Sequence, residues 1–234
     1  MILENLRLLA RAMIPGSGSD AAGPIKNTFL DLILNKGVED IAAYTVCLST
    51  NKKFSAAASQ GDIANPYIIS TVITDFLVMG KGGLWWNQGT VASPDYKRLN
   101  PKTIAALDKD RPNWRDVSDG APQDYLIDGN NIIVIPAPVS ALTDGFWLFY
   151  GAKPTYMTAV GHYPFSGSTT EYTYLSMFDM AIIKYARHQI SPVFNQQTNE
   201  NISWQEYLKE REEKTQLLRR RPDISNVAQF QGKL

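Results

Sequence analysis

The pattern of hydrophobic and polar residues divides the chain into helical ends and a strand-rich middle. Apolar residues in 2–13 recur at the one-sided spacing of a helix. The segment 25–37, "IKNTFLDLILNKG", repeats this spacing, with Pro24 suited to its first turn and Gly37 suited to a left-handed cap. We expect a separate helix, "VEDIAAYTVCL", to follow directly.

From about residue 51 the pattern becomes typical of strands. Short runs such as "PYIIS" and "DFLVMG" are bounded by Gly, Asn, Asp and Pro. In "YLIDGNNIIVIPAP", Asp128 and Gly129 tolerate the positive φ angles of a tight turn, which predicts a hairpin. The segment 80–83, "GKGG", lacks the spacing of a phosphate-binding loop and is predicted to be a turn. Trp85 and Trp86 are adjacent in a strand, so their rings should point to opposite faces.

Helical spacing returns after about residue 165. Ser168 and Glu171 have the spacing of a capping box, and the following helix is apolar over so wide a surface that other elements should contact it from more than one side. Ser203 and Glu206 repeat the box before a last helix that should end before Pro222. The sequence therefore predicts an α+β protein: a helical scaffold (helix bundle) with an inserted small antiparallel β-barrel or sandwich domain and an extended C-terminal arm.

These patterns predict four parts of the chain. They are an N-terminal helix and linker at 1–23, a helical domain at 24–50 and 165–221, an inserted β-domain at 51–160, and a C-terminal tail at 222–234.

Composition narrows the classes of function. Lys and Arg number 23 and Asp and Glu also number 23, and this balance argues against a protein that coats nucleic acid. The single cysteine excludes an internal disulfide, and two histidines argue against a zinc site. Glu4, Arg7 and Arg11 interrupt every apolar run of a signal peptide, and no segment approaches the roughly 18 apolar residues of a membrane span. We expect a soluble protein of a reducing cytoplasm, without a membrane partner.

Few residues offer chemistry. Cys47 lies among apolar residues and is expected to be a core residue, His162 lies in a loop without a nucleophile nearby in the sequence, and His188 suits the negative end of a helix. We therefore expect no catalytic site, no cofactor and no metal. Pairs of carboxylates such as Asp108 and Asp110 leave a glycoside hydrolase open as an alternative.

One tryptophan stands among charges. The stretch "LDKDRPNWRD" places Trp114 close to Arg111 and Arg115, among turn-forming residues. Two interpretations are open: the indole pins a loop inside its own domain, or it belongs to a surface that another chain covers. Trp and Arg are favoured anchors at protein contacts.

Other candidates for contact with a partner lie elsewhere in the chain. Trp86 is either covered by the chain's own "PDYKRLN" loop or free to contact a neighbour. Arg219, Arg220 and Arg221 end a helix whose face is either solvated or in contact with a channel or an acidic partner. Phe230 in the tail is a further candidate contact.

Several segments in order resemble the head–tail adaptor (connector) proteins of tailed bacteriophages. "FLDLILNKGVEDIAAYTVCL" is similar to their helical pair, and "PYIISTVITDFLVMGKGGLWWNQG" to a strand pair with an aromatic dyad. The most specific part contains "G-x-P-x-x-Y" and leads into the hairpin that ends in "P-A-P". "FWLFYGAKP" and "YPFSGSTTEYTYLSMFDMAIIKYA" match the closing strand and long helix. The resemblance spans about residues 25–190 and leaves out the helix at 2–13.

The resemblance implies a structural virion protein at the neck, made in the bacterial host cytoplasm. Such proteins form a ring, commonly of about twelve copies, beneath the portal protein. The C-terminal extension reaches the portal, the lower face receives a downstream tail (nozzle) protein, and double-stranded DNA passes through the centre without specific binding. Trp114 would pin its loop to the β-domain, with Arg111 and Arg115 at the rim. A carbohydrate-binding tail module, suggested by Trp85 and Trp86, is an alternative.

Overall fold

A computed structural model describes residues 1–14, 24–194 and 197–220 of the chain. The protein is mixed α+β, as predicted. It divides into two compact units, one formed by Met1–Leu48 with Lys153–Leu234 and the other by Ser49–Ala152. We call the first the helical unit and the second the sheet unit. The sheet unit therefore interrupts the helical unit in the sequence.

The helices and strands follow one another in a helix–sheet–helix order. In the described residues they are α1 (Leu3–Met13), α2 (Asn27–Thr45), β1 (Ser49–Ala56), β2 (Tyr67–Ile68), α3 (Ile69–Val72), β3 (Phe76–Asn87), β4 (Tyr96–Arg98), β5 (Asn100–Pro101), α4 (Ile104–Asp110), β6 (Asp124–Asp128), β7 (Asn131–Ile135), β8 (Leu142–Ala152), α5 (Asp179–Ile190) and α6 (Gln197–Arg219). The short 3-10 helices Trp114–Asp116, Thr173–Phe178 and Ser191–Phe194 lie between them. The predicted helix at 2–13 is confirmed as α1.

Helix α5 is the centre of the helical unit. It contacts α1, α2 and α6, so the prediction that other elements hold this helix from several sides is confirmed. Burial of apolar side chains from α5 against all three neighbours stabilises the unit. Its fully buried residues are Ala181, Ile182, Ile183, Ala186 and Ile190.

Helix α2 is continuous through Gly37, and the prediction of a left-handed cap there is wrong. Gly37 is buried in mid-helix, where a Cβ atom would lie 3.1 Å from Cδ1 of Tyr185 on α5. The small residue therefore allows two helices to approach closely. The left-handed position falls instead on Val46, with φ 54°, directly after the helix.

Neither predicted capping box begins a helix. The Ser168 hydroxyl accepts a hydrogen bond from the Thr170 amide at 3.1 Å within a loop, and α5 begins only at Asp179. Ser203 is completely buried inside α6, which begins at Gln197. Hydroxyl residues stabilise local turns as readily as helix starts, so their spacing alone did not decide between the two.

The sheet unit contains two four-stranded sheets. Sheet A has the order β1-β8-β3-β4 and is antiparallel. Ser49, the first residue of β1, pairs with Gly151 near the end of β8. Sheet B has the order β2-β7-β6-β5, in which β5 and β6 are parallel. Neither sheet closes into a barrel, so the barrel alternative is wrong. The parallel pair is a second departure from the antiparallel prediction.

One hydrophobic cluster draws residues from both sheets. Phe146 is completely buried and packs against Phe54 and Trp86 of its own sheet and Tyr67 of the other, with ring centroids 4.9–5.3 Å apart. Aromatic pairs at these distances add to the stabilisation from burial. The sheets thus face each other across a shared aromatic core.

The hairpin at Asp128 is confirmed, whereas the turn at 80–83 is not. Strands β6 and β7 join through Gly129, whose φ is +58°. The "GKGG" segment lies inside β3, where the pairing with β8 shifts register between Met79 and Leu84. It is an irregularity within one strand, of the kind that redirects side chains.

Candidate interaction surfaces

The loop around Trp114 is pinned to the sheet unit, as predicted. The Trp114 ring is 4% exposed and packs in a second hydrophobic cluster. Its Nε1–H donates to Oδ1 of Asp108 at 2.8 Å. The other buried members of this cluster are Leu107, Leu126, Ile133 and Ile135.

Both arginines beside Trp114 are partly exposed and have partners within the chain. Arg115 lies over the indole, 4.4 Å from the ring centroid, and its Nη1 is 2.6 Å from the Asp108 carboxylate. Arg115 and the indole N–H together hold the pKa of Asp108 below its usual value. Arg111 lies 3.2 Å from the buried carboxylate of Asp124. Each guanidinium keeps about two fifths of its side chain exposed, and this part remains open to a neighbour.

Trp86 belongs to the core rather than to the surface. It is 9% exposed and lies 4.9 Å from the Phe146 ring, in the cluster between the sheets. Trp86 is therefore unsuited to contact a partner, because its ring is already covered within the sheet unit. Its neighbour Trp85 points to the opposite face of sheet A, as the alternation of a strand requires, and is half-buried.

The outer face of sheet A carries a group of half-buried aromatic side chains, which we call the aromatic surface. Trp147 lies at its centre, with ring centroids of Phe149 and Tyr96 4.7 and 5.3 Å away. Trp85 lies opposite Trp147 in the strand register and 6.2 Å from Phe149. The aromatic surface consists of Trp85, Tyr96, Trp147 and Phe149.

Internal hydrogen bonds fix the orientation of these rings. The Trp147 Nε1–H donates to the Asn51 side chain at 3.0 Å, and the Trp85 Nε1–H donates to the Gly82 carbonyl at 2.8 Å. Phe149 lies against Gly82, where a Cβ atom would come within 2.5 Å of the Phe149 ring. The irregularity in β3 therefore leaves space for the Phe149 ring. Contacts within the chain hold the rings of the aromatic surface in place without a partner.

Cations border the aromatic surface. Across the four strands, Lys53, Trp147, Trp85 and Arg98 stand opposite one another in register. The Lys53 ammonium lies 4.9 Å from the Tyr96 ring centroid and 5.2 Å from that of Trp147. Arg98 donates to the Lys81 carbonyl at 2.8 Å. Cationic and aromatic groups therefore form a single continuous face.

This face was not predicted from the sequence. Its signal is in "GFWLFYGA", where Phe146, Leu148 and Tyr150 alternate with Trp147 and Phe149. A strand with one solvated face has polar residues at every second position. Aromatic residues at both sets of positions indicate that the second face is also apolar.

A second exposed surface lies on the helical unit. Helices α1 and α2 run antiparallel, because Arg7 forms a bidentate pair with Asp31 at 2.6 Å whereas Arg11 bonds the Ile25 carbonyl at 2.6 Å. Leu8 and Leu32 each follow a member of the Arg7–Asp31 pair, so helix geometry projects both to the same side of the two helices. We call the exposed Leu8 (57%) and Leu32 (51%), with Phe29 (44%) three residues before Leu32 on α2, the apolar helix face.

The C-terminal candidates lie at the limit of the described residues. Arg219 and Arg220 are exposed at the end of α6, and Arg221 and Phe230 lie outside the described residues.

Further back, α6 is fixed to α2. Arg211 lies 2.7 Å from the Asp40 carboxylate and over the Tyr44 ring, and the Tyr207 hydroxyl donates to Asp40.

Cys47, His162 and His188 were the residues considered for nucleophilic or acid–base chemistry. Burial raises the pKa of the Cys47 thiol to about 11, which disfavours the reactive thiolate. His162 accepts a hydrogen bond from the Thr158 amide at 3.3 Å, and His188 packs on Trp204 with ring centroids 4.6 Å apart. In the described part of the chain, no three His, Cys, Asp or Glu residues are grouped as metal ligands would be.

None of the helices described combines the length and apolar character of a membrane span. Neither a known family model nor a curated protein sequence matches the chain.

Proposed function

We propose that this protein is a structural component of a virion, which assembles into a ring of about twelve copies between the portal and the tail and lets double-stranded DNA pass through its centre. The order of segments at 25–190 that resembles head–tail adaptors suggests the role. In this proposal the protein acts by assembly and catalyses no reaction. Its partners are further copies of itself, the portal protein and a downstream tail protein, and its location is the neck of the virion.

The apolar helix face is the observation that carries the proposal. A ring closes when one surface of each copy meets a different surface of the next. Three large apolar side chains on α1 and α2 are 44–57% exposed in a unit that already has a buried core around α5. Large apolar side chains exposed together on one side of two helices are typical of a site that another protein covers. We assign it to the contact between neighbouring copies.

The arrangement of the chain supports a connector with two distinct parts. A helical scaffold built from both ends of the chain carries an inserted two-sheet domain, so each part can serve a different neighbour. Helix α6 ends at Arg219, and both Arg219 and the following Arg220 are exposed. We propose that these arginines, with Arg221 and Phe230, contact the portal, and that Arg111 and Arg115 contact a neighbour through the exposed part of each side chain.

The carbohydrate-binding alternative depended on the pair Trp85 and Trp86. Because Trp86 is in the core, only one indole of the pair is available to a ligand. This observation weakens the alternative, and we do not propose it as a second function.

The test is the mass of the full chain in solution, alone and with purified portal rings, by light scattering and electron microscopy. We expect assembly into rings, at least on the portal. Leu32→Arg places a charge in the apolar helix face and should abolish assembly, whereas Val139→Arg, at a site 64% exposed in the sheet unit, should not. A chain that stays monomeric and ignores the portal would contradict the function. Normal rings of the Leu32→Arg variant would contradict only the assigned contact.

A further inference from the structure

We propose that the outer face of sheet A binds single-stranded nucleic acid, with the aromatic surface stacking on bases and the bordering cations contacting phosphates. This inference goes beyond the proposed ring and does not depend on it. It rests on the geometry of one face of the sheet unit and on the charges of the strands that form it.

The aromatic surface suits bases because it offers rings rather than polar atoms. Both indole N–H groups are already bonded within the chain, to Asn51 and to Gly82. What remains for a ligand is the apolar surface of Trp147 and Trp85, held at fixed orientations. Every base has an aromatic face, so such rings bind single strands with little dependence on sequence.

The charge of sheet A suits a polyanion. In the row that contains Trp147 and Trp85, register places Lys53 on β1 and Arg98 on β4, and Arg98 is bonded to the carbonyl of a third exposed cation, Lys81. Among the described residues, no ion pair within 4.0 Å involves any of these three cations. The zero net charge of the whole chain conceals this local excess. The remaining cations of these strands, Lys52 and Lys97, pair with the buried Leu148 and Trp86 and so alternate to the other face.

The arrangement of the two kinds of side chain favours a nucleic acid strand over other partners. The indoles stand on the central strands β8 and β3, and Lys53 and Arg98 stand opposite them on the outer strands β1 and β4. A flexible strand can lay bases on the centre and phosphates along the edges. Lysine is depleted where proteins contact proteins, and a neutral sugar would leave the cations without counter-charge.

The test is fluorescence anisotropy of a labelled oligothymidine of about 15 nucleotides with the full chain at low salt. We expect binding that Trp147→Ala and Trp85→Ala each weaken about 5- to 100-fold, as loss of one stacked base requires. Lys53→Ala should lower the slope of log affinity against log salt by about 0.7, the value for one phosphate of a single strand. Lys109→Ala removes the same charge from exposed α4 and should change neither quantity.

Each alternative gives a different result. Failure of the oligonucleotide to bind overturns the proposal. Equal binding of heparin and oligothymidine, unchanged in both tryptophan variants, also overturns it, because charge alone then explains the attraction. The proposal is also overturned if the oligonucleotide does not bind and the chain instead binds uncharged oligosaccharides, or associates with itself, through an interaction that Trp147→Ala abolishes. Since Lys53 is exposed, its variant tests the face even if the tryptophan variants do not fold.

Discussion

Replacement of Trp114 by alanine tests how the loop at 107–116 is held. The indole is 4% exposed and contacts the second hydrophobic cluster of the sheet unit. A tryptophan buries about 150–250 Å², worth about 4–6 kcal/mol at 25 cal/mol per Å², and this is an upper bound because the unfolded chain also covers part of the ring. Measured Trp→Ala changes in cores cost about 3–5 kcal/mol. We expect Trp114→Ala to lower the free energy of unfolding by about 3–5 kcal/mol.

The assay is urea unfolding followed by far-ultraviolet circular dichroism, since the substitution removes a fluorophore. Because the chain has two compact units, the transition of the sheet unit must be separated from that of the helical unit before a free energy is assigned. A loss well below about 1 kcal/mol would refute the argument, because it would mean that the loop holds its place without the indole.

Trp114→Phe separates the ring from its hydrogen bond. The phenyl ring keeps most of the apolar burial but cannot donate to Asp108. The pKa of Asp108 is lowered in the folded protein by Arg115 and by the indole N–H. A lowered carboxyl pKa stabilises the fold above the unfolded-state pKa, and this stabilisation is lost as the pH falls through the folded-state pKa. The difference in stability between wild type and Trp114→Phe should therefore shrink on acidification, and a difference independent of pH would exclude the Asp108 contact as its cause.

Three further predictions concern packing, hydrogen bonding and reactivity. Gly82→Ala should cost about 1–3 kcal/mol in urea unfolding, because its Cβ would lie 2.5 Å from the ring of Phe149; a neutral change would mean that β3 adapts freely. Tyr207→Phe should cost about 1.5–3 kcal/mol by the same measurement, because it removes the bond to the Asp40 carboxylate, and retained stability would show that water replaces it. Cys47 should react with iodoacetamide near pH 8 about a hundredfold more slowly in the folded than in the urea-unfolded chain, since burial raises its pKa from 9.0 to about 11; equal rates would contradict this burial.

The elements that the sequence predicted well are those decided by local interactions. Helix α1 follows from its apolar spacing, and the turn at Gly129 follows from the φ angle that glycine permits. Gly37 shows the limit of this reasoning. A glycine at a helix end and a glycine at a close helix contact are identical in sequence, and only Tyr185, far along the chain, distinguishes them.

The candidate surfaces were predicted less completely, because exposure depends on distant parts of the chain. For Trp114, the surrounding turn formers and charges left two interpretations open, and the resemblance to head–tail adaptors implied the structural pin that its burial now supports. Trp85 and Trp86 had to face opposite sides of the sheet, and Trp86 was proposed as the contact with a partner. Which of the two indoles enters the core depends on Phe146 in another strand. The cations around Trp147 come from three different strands, and no local pattern brings them together.

The pairing of Ser49 with Gly151 has a consequence for how this chain could be altered. Paired antiparallel residues lie about 5 Å apart, so the polypeptide enters and leaves the sheet unit through two neighbouring strand ends. The sheet unit could be deleted and its flanking residues joined by a short linker, or it could be replaced by another domain whose termini lie equally close together. These neighbouring strand ends would let one helical unit acquire new surfaces through exchange of a single continuous segment of sequence.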